Sequence, residues 1–74
     1  MKFEIRAFYT RGVGYVSKLD KECSTPVQEI SDNLAKMLFD VCEEQGMRRH
    51  ETDTQIFYDN IIDSNHTTEY IFYK

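Results

Sequence analysis

Apolar and polar positions alternate from Lys2 to Tyr9. Phe3, Ile5, Ala7 and Tyr9 share one side of an extended chain, and Lys2, Glu4, Arg6 and Phe8 share the other. The period of two predicts a strand. Thr10-Arg11-Gly12-Val13-Gly14 then reads as a turn, because two glycines admit positive φ. Tyr15 to Leu19 returns as a second strand, and Asp20 to Ser24 is a polar connector. From Thr25 the period changes. Val27, Ile30, Leu34, Met37, Leu38 and Val41 recur at three- and four-residue spacing, which predicts a helix over about 26–45. Thr25 fits its N-cap, Pro26 its first turn and Gln28 the third position of a capping box. Gly46 fits a left-handed C-terminal cap. Ala35 and Cys42 fall at the edge of the apolar stripe, with Glu29, Asp32, Lys36, Asp40 and Glu43 opposite. Beyond the helix, Thr54, Ile56 and Tyr58 alternate with Gln55, Phe57 and Asp59, a third strand that Ile61 and Ile62 either extend or end. Asp63-Ser64-Asn65 is a turn cluster. Thr67 to Tyr73 is a fourth strand, with Tyr70 and Phe72 on one face and Ile71 and Tyr73 on the other.

The predicted order is ββαββ in a single α+β domain over 1–74. Its simplest architecture is a four-stranded, mostly antiparallel sheet with one helix on one face. Residues 55–62 admit either register, so the face that the helix covers stays open. One helix covers one face, yet both faces of the last two strands carry apolar groups and Phe8 lies opposite Phe3 and Ile5. A second copy or another protein is expected on the remaining face.

Composition narrows the function. The chain has 74 residues, 41% apolar and 30% charged, in the range of a globular domain and too apolar for disorder. Ten aromatics help a small core, since each ring buries a large area. The formal charge of −4 argues against general nucleic-acid binding. The charge is uneven: the first twenty residues are mildly basic and 21–46 strongly acidic. No apolar run approaches the roughly 20 residues that span a bilayer. Charges at Lys2, Glu4 and Arg6 occupy the place of a signal peptide's apolar run. Cys23 and Cys42 are too few for a disulfide scaffold, and a reduced, cytoplasmic setting is expected. Asn65-His66-Thr67 matches a glycosylation sequon by chance in such a setting.

Chemistry is sparse. His50 and His66 are far apart and match no metal-ligand spacing, and no cofactor motif is present. Glu43 and Glu44 are consecutive and point apart on a helix, so they form no acid–base dyad. No base is placed by the sequence to activate Cys23. A chain without enzymatic activity is expected. Arg11, Gly12, Gly14, Tyr15 and Val16 follow the spacing Arg-Gly-x-Gly-aromatic-Val. This octapeptide resembles the first ribonucleoprotein motif of RNA-recognition-motif domains, from which Val13 and Lys18 depart, both being aromatic there. The resemblance implies a base stacked on Tyr15 and a phosphate at Arg11; separately, the basic charge of the hairpin offers Lys2, Arg6 and Lys18 as further phosphate contacts. Phe39 stands out differently. It winds to the charged side of the predicted helix, between Asp32, Lys36 and Glu43, as an aromatic anchor with an acidic rim would. The leading expectation is a protein-binding module whose partner has a basic surface. It would bind through Phe39, Asp32, Lys36, Asp40 and Glu43, or through the open sheet face with Phe8, Tyr58 and Tyr73. In size and style such a chain looks like the small inhibitors and regulators encoded by phages. The alternatives are a single-strand nucleic-acid binder using the basic hairpin, and an obligate homo-oligomer.

Overall fold

The structure, a computed structural model, describes residues 1–11, 16–63 and 65–74, and the backbone alone at 10, 11, 16 and 17. Among these residues six strands and one helix follow in the order β1 (Lys2–Arg11), β2 (Val16–Leu19), β3 (Thr25–Glu29), α1 (Asp32–Glu44), β4 (Arg48–Glu51), β5 (Gln55–Asp63) and β6 (His66–Tyr73). The sheet runs β2-β1-β6-β5-β4, with β3 also on β1, and every pairing is antiparallel. The α+β class with one helix and an antiparallel sheet is as expected. The strand count is corrected from four to six, and the ββαββ order gives way to three strands, a helix and three strands.

Both added strands have physical reasons. β2 pairs with the second half of β1 and β3 with the first half, on the same edge. They are one return strand interrupted at 20–24. The interruption would orphan amides of β1, but two side chains replace the missing carbonyls. Ser24 Oγ accepts from Ala7 N at 2.9 Å and Thr25 Oγ1 from Ile5 N at 3.0 Å. Thr25 is therefore not the helix cap. Pro26 sits on an edge strand beside a register shift, where its missing N–H breaks no ladder. The helix starts instead at Ser31, whose side chain accepts from Leu34 N at 3.1 Å. β4 reads Arg-Arg-His-Glu and carries no apolar period, yet it completes the far edge by pairing with Glu51 opposite Ile56 through Arg48 opposite Asp59.

The helix end is as expected. Gly46 has φ +70°, its N–H reaches Glu43 O, and Met47 N reaches Cys42 O, a Schellman motif closed by the buried Met47 and Cys42. A Cβ at Gly46 would meet nothing within 4 Å, so only the backbone resists substitution. Gly46→Ala is expected to cost about 1 kcal/mol in urea denaturation, and Gly46→Asn less. An unchanged midpoint for Gly46→Ala would contradict this account of the cap.

Between the two edges α1 crosses one face of the sheet. The register aligns Phe3, Phe72 and Ile56 across β1, β6 and β5, and Ile5, Tyr70 and Tyr58 in the next row. Phe3, Cys42, Met47, Tyr58 and Phe72 form the buried cluster, with Leu38 and Phe39 packed against it. Phe72 is the hub: its ring centroid lies 4.5 Å from Phe39, 4.8 Å from Phe3 and 6.3 Å from Tyr58. The open register of 55–62 thus resolves with Ile56 and Tyr58 inward.

Candidate interaction surface

Burial on α1 follows Ala35, Leu38, Phe39 and Cys42, at i, i+3, i+4 and i+7. At 100° per residue this direction is rotated by about 100° from the centre of the expected stripe. Phe39 is corrected accordingly. Its ring lies against Phe72 and 6.1 Å from Tyr58, inside the helix–sheet interface rather than on a charged outer face. The expected core positions Leu34, Met37 and Val41 lie on the surface instead, 42%, 64% and 41% exposed. They form one row at i, i+3 and i+7.

Small Ala35 and Cys42 are buried on the side of the helix that also carries Phe39, whose ring packs on Phe72. The apolar arc of α1 spans about 200°, from Met37 round to Phe39 at 100° per residue, wider than one sheet face can cover. That width, visible in the sequence, was the signal for a residual exposed row.

The acidic residues expected around Phe39 lie on the polar side of the helix, and all are exposed. Asp32, Asp40, Glu43 and Glu44 face a single Lys36 on α1, and the last turn holds no basic residue to offset the negative end of the helix. Glu43 Oε1 accepts from Tyr58 Oη at 3.1 Å. Burial, followed by that hydrogen bond, raises the Tyr58 phenol above its ordinary range.

The expected trio of Phe8, Tyr58 and Tyr73 is not on one face. Tyr58 is buried beneath α1, whereas Phe8 and Tyr73 lie on the opposite side of the sheet. There the rows run Glu4-Ile71-Phe57-His50 and Arg6-Glu69-Asp59-Arg48 across four strands. Polar side chains shield Ile71 and Phe57, whereas Ile61, opposite Thr67 on the same face, is 61% exposed. Arg48 grips Asp59 with two bonds of 2.8 and 3.3 Å, His50 reaches the same carboxylate at 3.1 Å, and the His50 ring stacks on Phe57 at 4.7 Å. Tyr73 Oη donates to Glu4, which also pairs with Arg6 Nε at 3.2 Å. Hence Glu4 and Ile71 are only 7% and 4% exposed with no helix above them. The hydrogen bond to Glu4 raises the Tyr73 phenol.

Of the residues in the nucleic-acid alternative, Arg6 is tied to Glu4, Lys18 is exposed opposite Tyr9, and Lys2 lies exposed opposite Tyr73. Tyr15 lies outside the described residues, with Gly12, Val13, Gly14 and Ser64, as does the side chain of Arg11. Thr10 and Arg11, expected in the turn, instead extend β1, and Val16 to Lys18 of the motif lie in β2; the rest of the turn and the centre of the motif fall outside the described residues.

Reactive groups gather at the other end of the sheet. Asp20, Cys23, Asp63 and His66 border a cleft of about 240 Å³. His66 Nδ1 lies 2.9 Å from Asp63 Oδ1, and that hydrogen bond holds the Asp63 carboxyl below its ordinary range. Asp20 hydrogen-bonds Cys23 and raises its thiol, which disfavours the thiolate that nucleophilic chemistry needs. Among the described residues no group of three or more His, Cys, Asp and Glu side chains could hold a metal ion, and no helix is long and apolar enough to cross a membrane. Comparison of the chain with protein-family models, curated proteins and solved structures gives no match.

Proposed function

We propose that this chain is a protein-binding module, a regulator or inhibitor of a larger protein, with no catalysis of its own. Its docking surface is the Leu34–Met37–Val41 row of α1. The observation that carries the reading is the exposure of that row beside a core already filled by Phe3, Phe39, Tyr58 and Phe72. Single exposed apolar residues are ordinary, but three adjacent ones on a rigid helix form the kind of patch that interfaces cover. The polar ladder on the opposite sheet face covers Ile71 and Phe57 without a partner, although Ile61 at the end of that face stays 61% exposed.

Met37→Asp tests it. Met37 is the most exposed of the three, so Met37→Asp is expected to stay folded, losing about 1 kcal/mol from lower helix propensity and the neighbouring Asp40. Partner capture from a host lysate is expected to fall to background. Equal capture by Met37→Asp and the parent chain would remove the helix row from consideration.

A further inference from the structure

We infer that the occupant of the Leu34–Met37–Val41 row is a basic amphipathic helix of another protein. Its apolar side lies along α1, and its Lys or Arg residues face Asp40 and Glu44. The inference rests on the reading of the row as a docking surface, and adds what binds there.

Three observations select that chemistry. On the helical wheel Asp40 and Glu44 border the row on the Met37 side. Both are exposed, and among the described residues neither has an ion-pair partner. The last turn of α1 holds no basic residue, so the negative end of the helix dipole adds to Glu44 there, while Arg49 approaches the Tyr58 phenol that Glu43 holds. A cationic rim on the partner would offset all of these at once.

A helix rather than a strand follows from the backbone. The amides and carbonyls inside α1 are paired within the helix, so an extended segment finds no ladder there and loses its main source of affinity. Side chains at i, i+3 and i+7 instead offer a ridge for another helix's groove. α1 has 13 residues and is about 20 Å long, enough for several turns of a partner. The sheet edges invite a strand less well. Pro26 and the register shift interrupt one edge, and Arg48, Arg49, His50 and Glu51 fill the other with charge.

The same charges disfavour two other occupants. A second copy would bring two acidic helices together, each with four carboxylates against one lysine. A membrane surface attracts amphipathic helices flanked by lysine and arginine, whereas this one is flanked by aspartate and glutamate.

The test uses two synthetic amphipathic helices with the same leucine spacing, one flanked by lysine and one by glutamate. Each is titrated into the full chain and followed by amide chemical shifts. The lysine-flanked peptide is expected to perturb α1 and to bind about tenfold tighter at low salt, with the advantage shrinking as salt rises. Met37→Asp is expected to abolish this binding, and an Asp40→Lys, Glu44→Lys variant to reverse the preference. Equal binding of the two peptides on α1 overturns the charge assignment while sparing the docking surface. No binding at α1 by either peptide overturns the inference outright. If Met37→Asp leaves lysate capture unchanged as well, the docking surface itself is lost. Sedimentation of the chain alone separates the remaining case: a dimer split by Met37→Asp would give the row to a second copy.

Discussion

Replacing Phe72 with alanine is expected to cost about 3–5 kcal/mol. The ring is fully buried and meets Phe3, Phe39 and Tyr58, so its removal leaves a cavity at the junction of helix and sheet rather than at a margin. Domains of this size have small reserves, since total stability is about 5–15 kcal/mol and the smallest chains bury the least surface. Phe72→Ala is therefore expected to be largely unfolded by circular dichroism at ambient temperature. Phe72→Leu keeps more of the volume and is expected to fold with a lowered urea midpoint. A loss below about 1 kcal/mol for the alanine variant would mean that the helix does not pack on the sheet through this ring.

Alkaline conditions are expected to produce the second large loss. Burial pushes the Cys42 thiol up to about 11, with a smaller contribution from Glu43, against an ordinary value of 9.0. Below pH 9 the thiol is protonated in folded and unfolded chains alike, and its contribution is intact. As pH rises from 9 to 11 the unfolded chain releases a proton that the folded chain retains, so stability falls. The full difference amounts to about 2–3 kcal/mol. The raised phenols of Tyr58 and Tyr73 act in the same direction at somewhat higher pH. Urea denaturation at pH 8, 9.5 and 10.5 measures the slope. Cys42→Ala is expected to start less stable and to lose less on the way up. Identical slopes for the two chains would show that Cys42 contributes nothing to the alkaline limb.

Much of the fold was legible where a single period ran unopposed. The alternation in Lys2–Tyr9 and Thr67–Tyr73 locates β1 and β6, and Gly46 marks the end of the helix. The start of the helix differs from the expected one because Thr25-Pro26-Val27-Gln28 satisfies two local rules at once. It can open a helix, and it can also close the edge of a strand. Tertiary structure decides between them: the Thr25 hydroxyl satisfies Ile5, and Ser31 is available as a cap a few residues later. β4 is illegible in the sequence for the opposite reason. Its four residues are all charged or polar, and what makes them a strand is the open edge of β5. The candidate site was legible only in part. The acidic side of α1 is where the sequence placed it, but a helix with an apolar arc of about 200° does not announce which half meets the sheet. The half that carries buried Ala35 and Cys42 meets the sheet, and periodicity weights such small residues less than leucine or methionine.

The pairing of β1 with β6 bears on how quickly the chain can find its structure. The neighbouring pairings, β1 with β2 and β3 and β5 with β4 and β6, join segments near one another in sequence. The central seam instead brings together residues as far apart as Glu4 and Tyr73, 69 positions along the chain. Each half can assemble locally, but neither buries Phe72 against Phe3 until the long loop between them closes. The loop-closure entropy falls due before its reward, which places refolding in the slower, millisecond-to-second range of small domains rather than among the fast helical bundles.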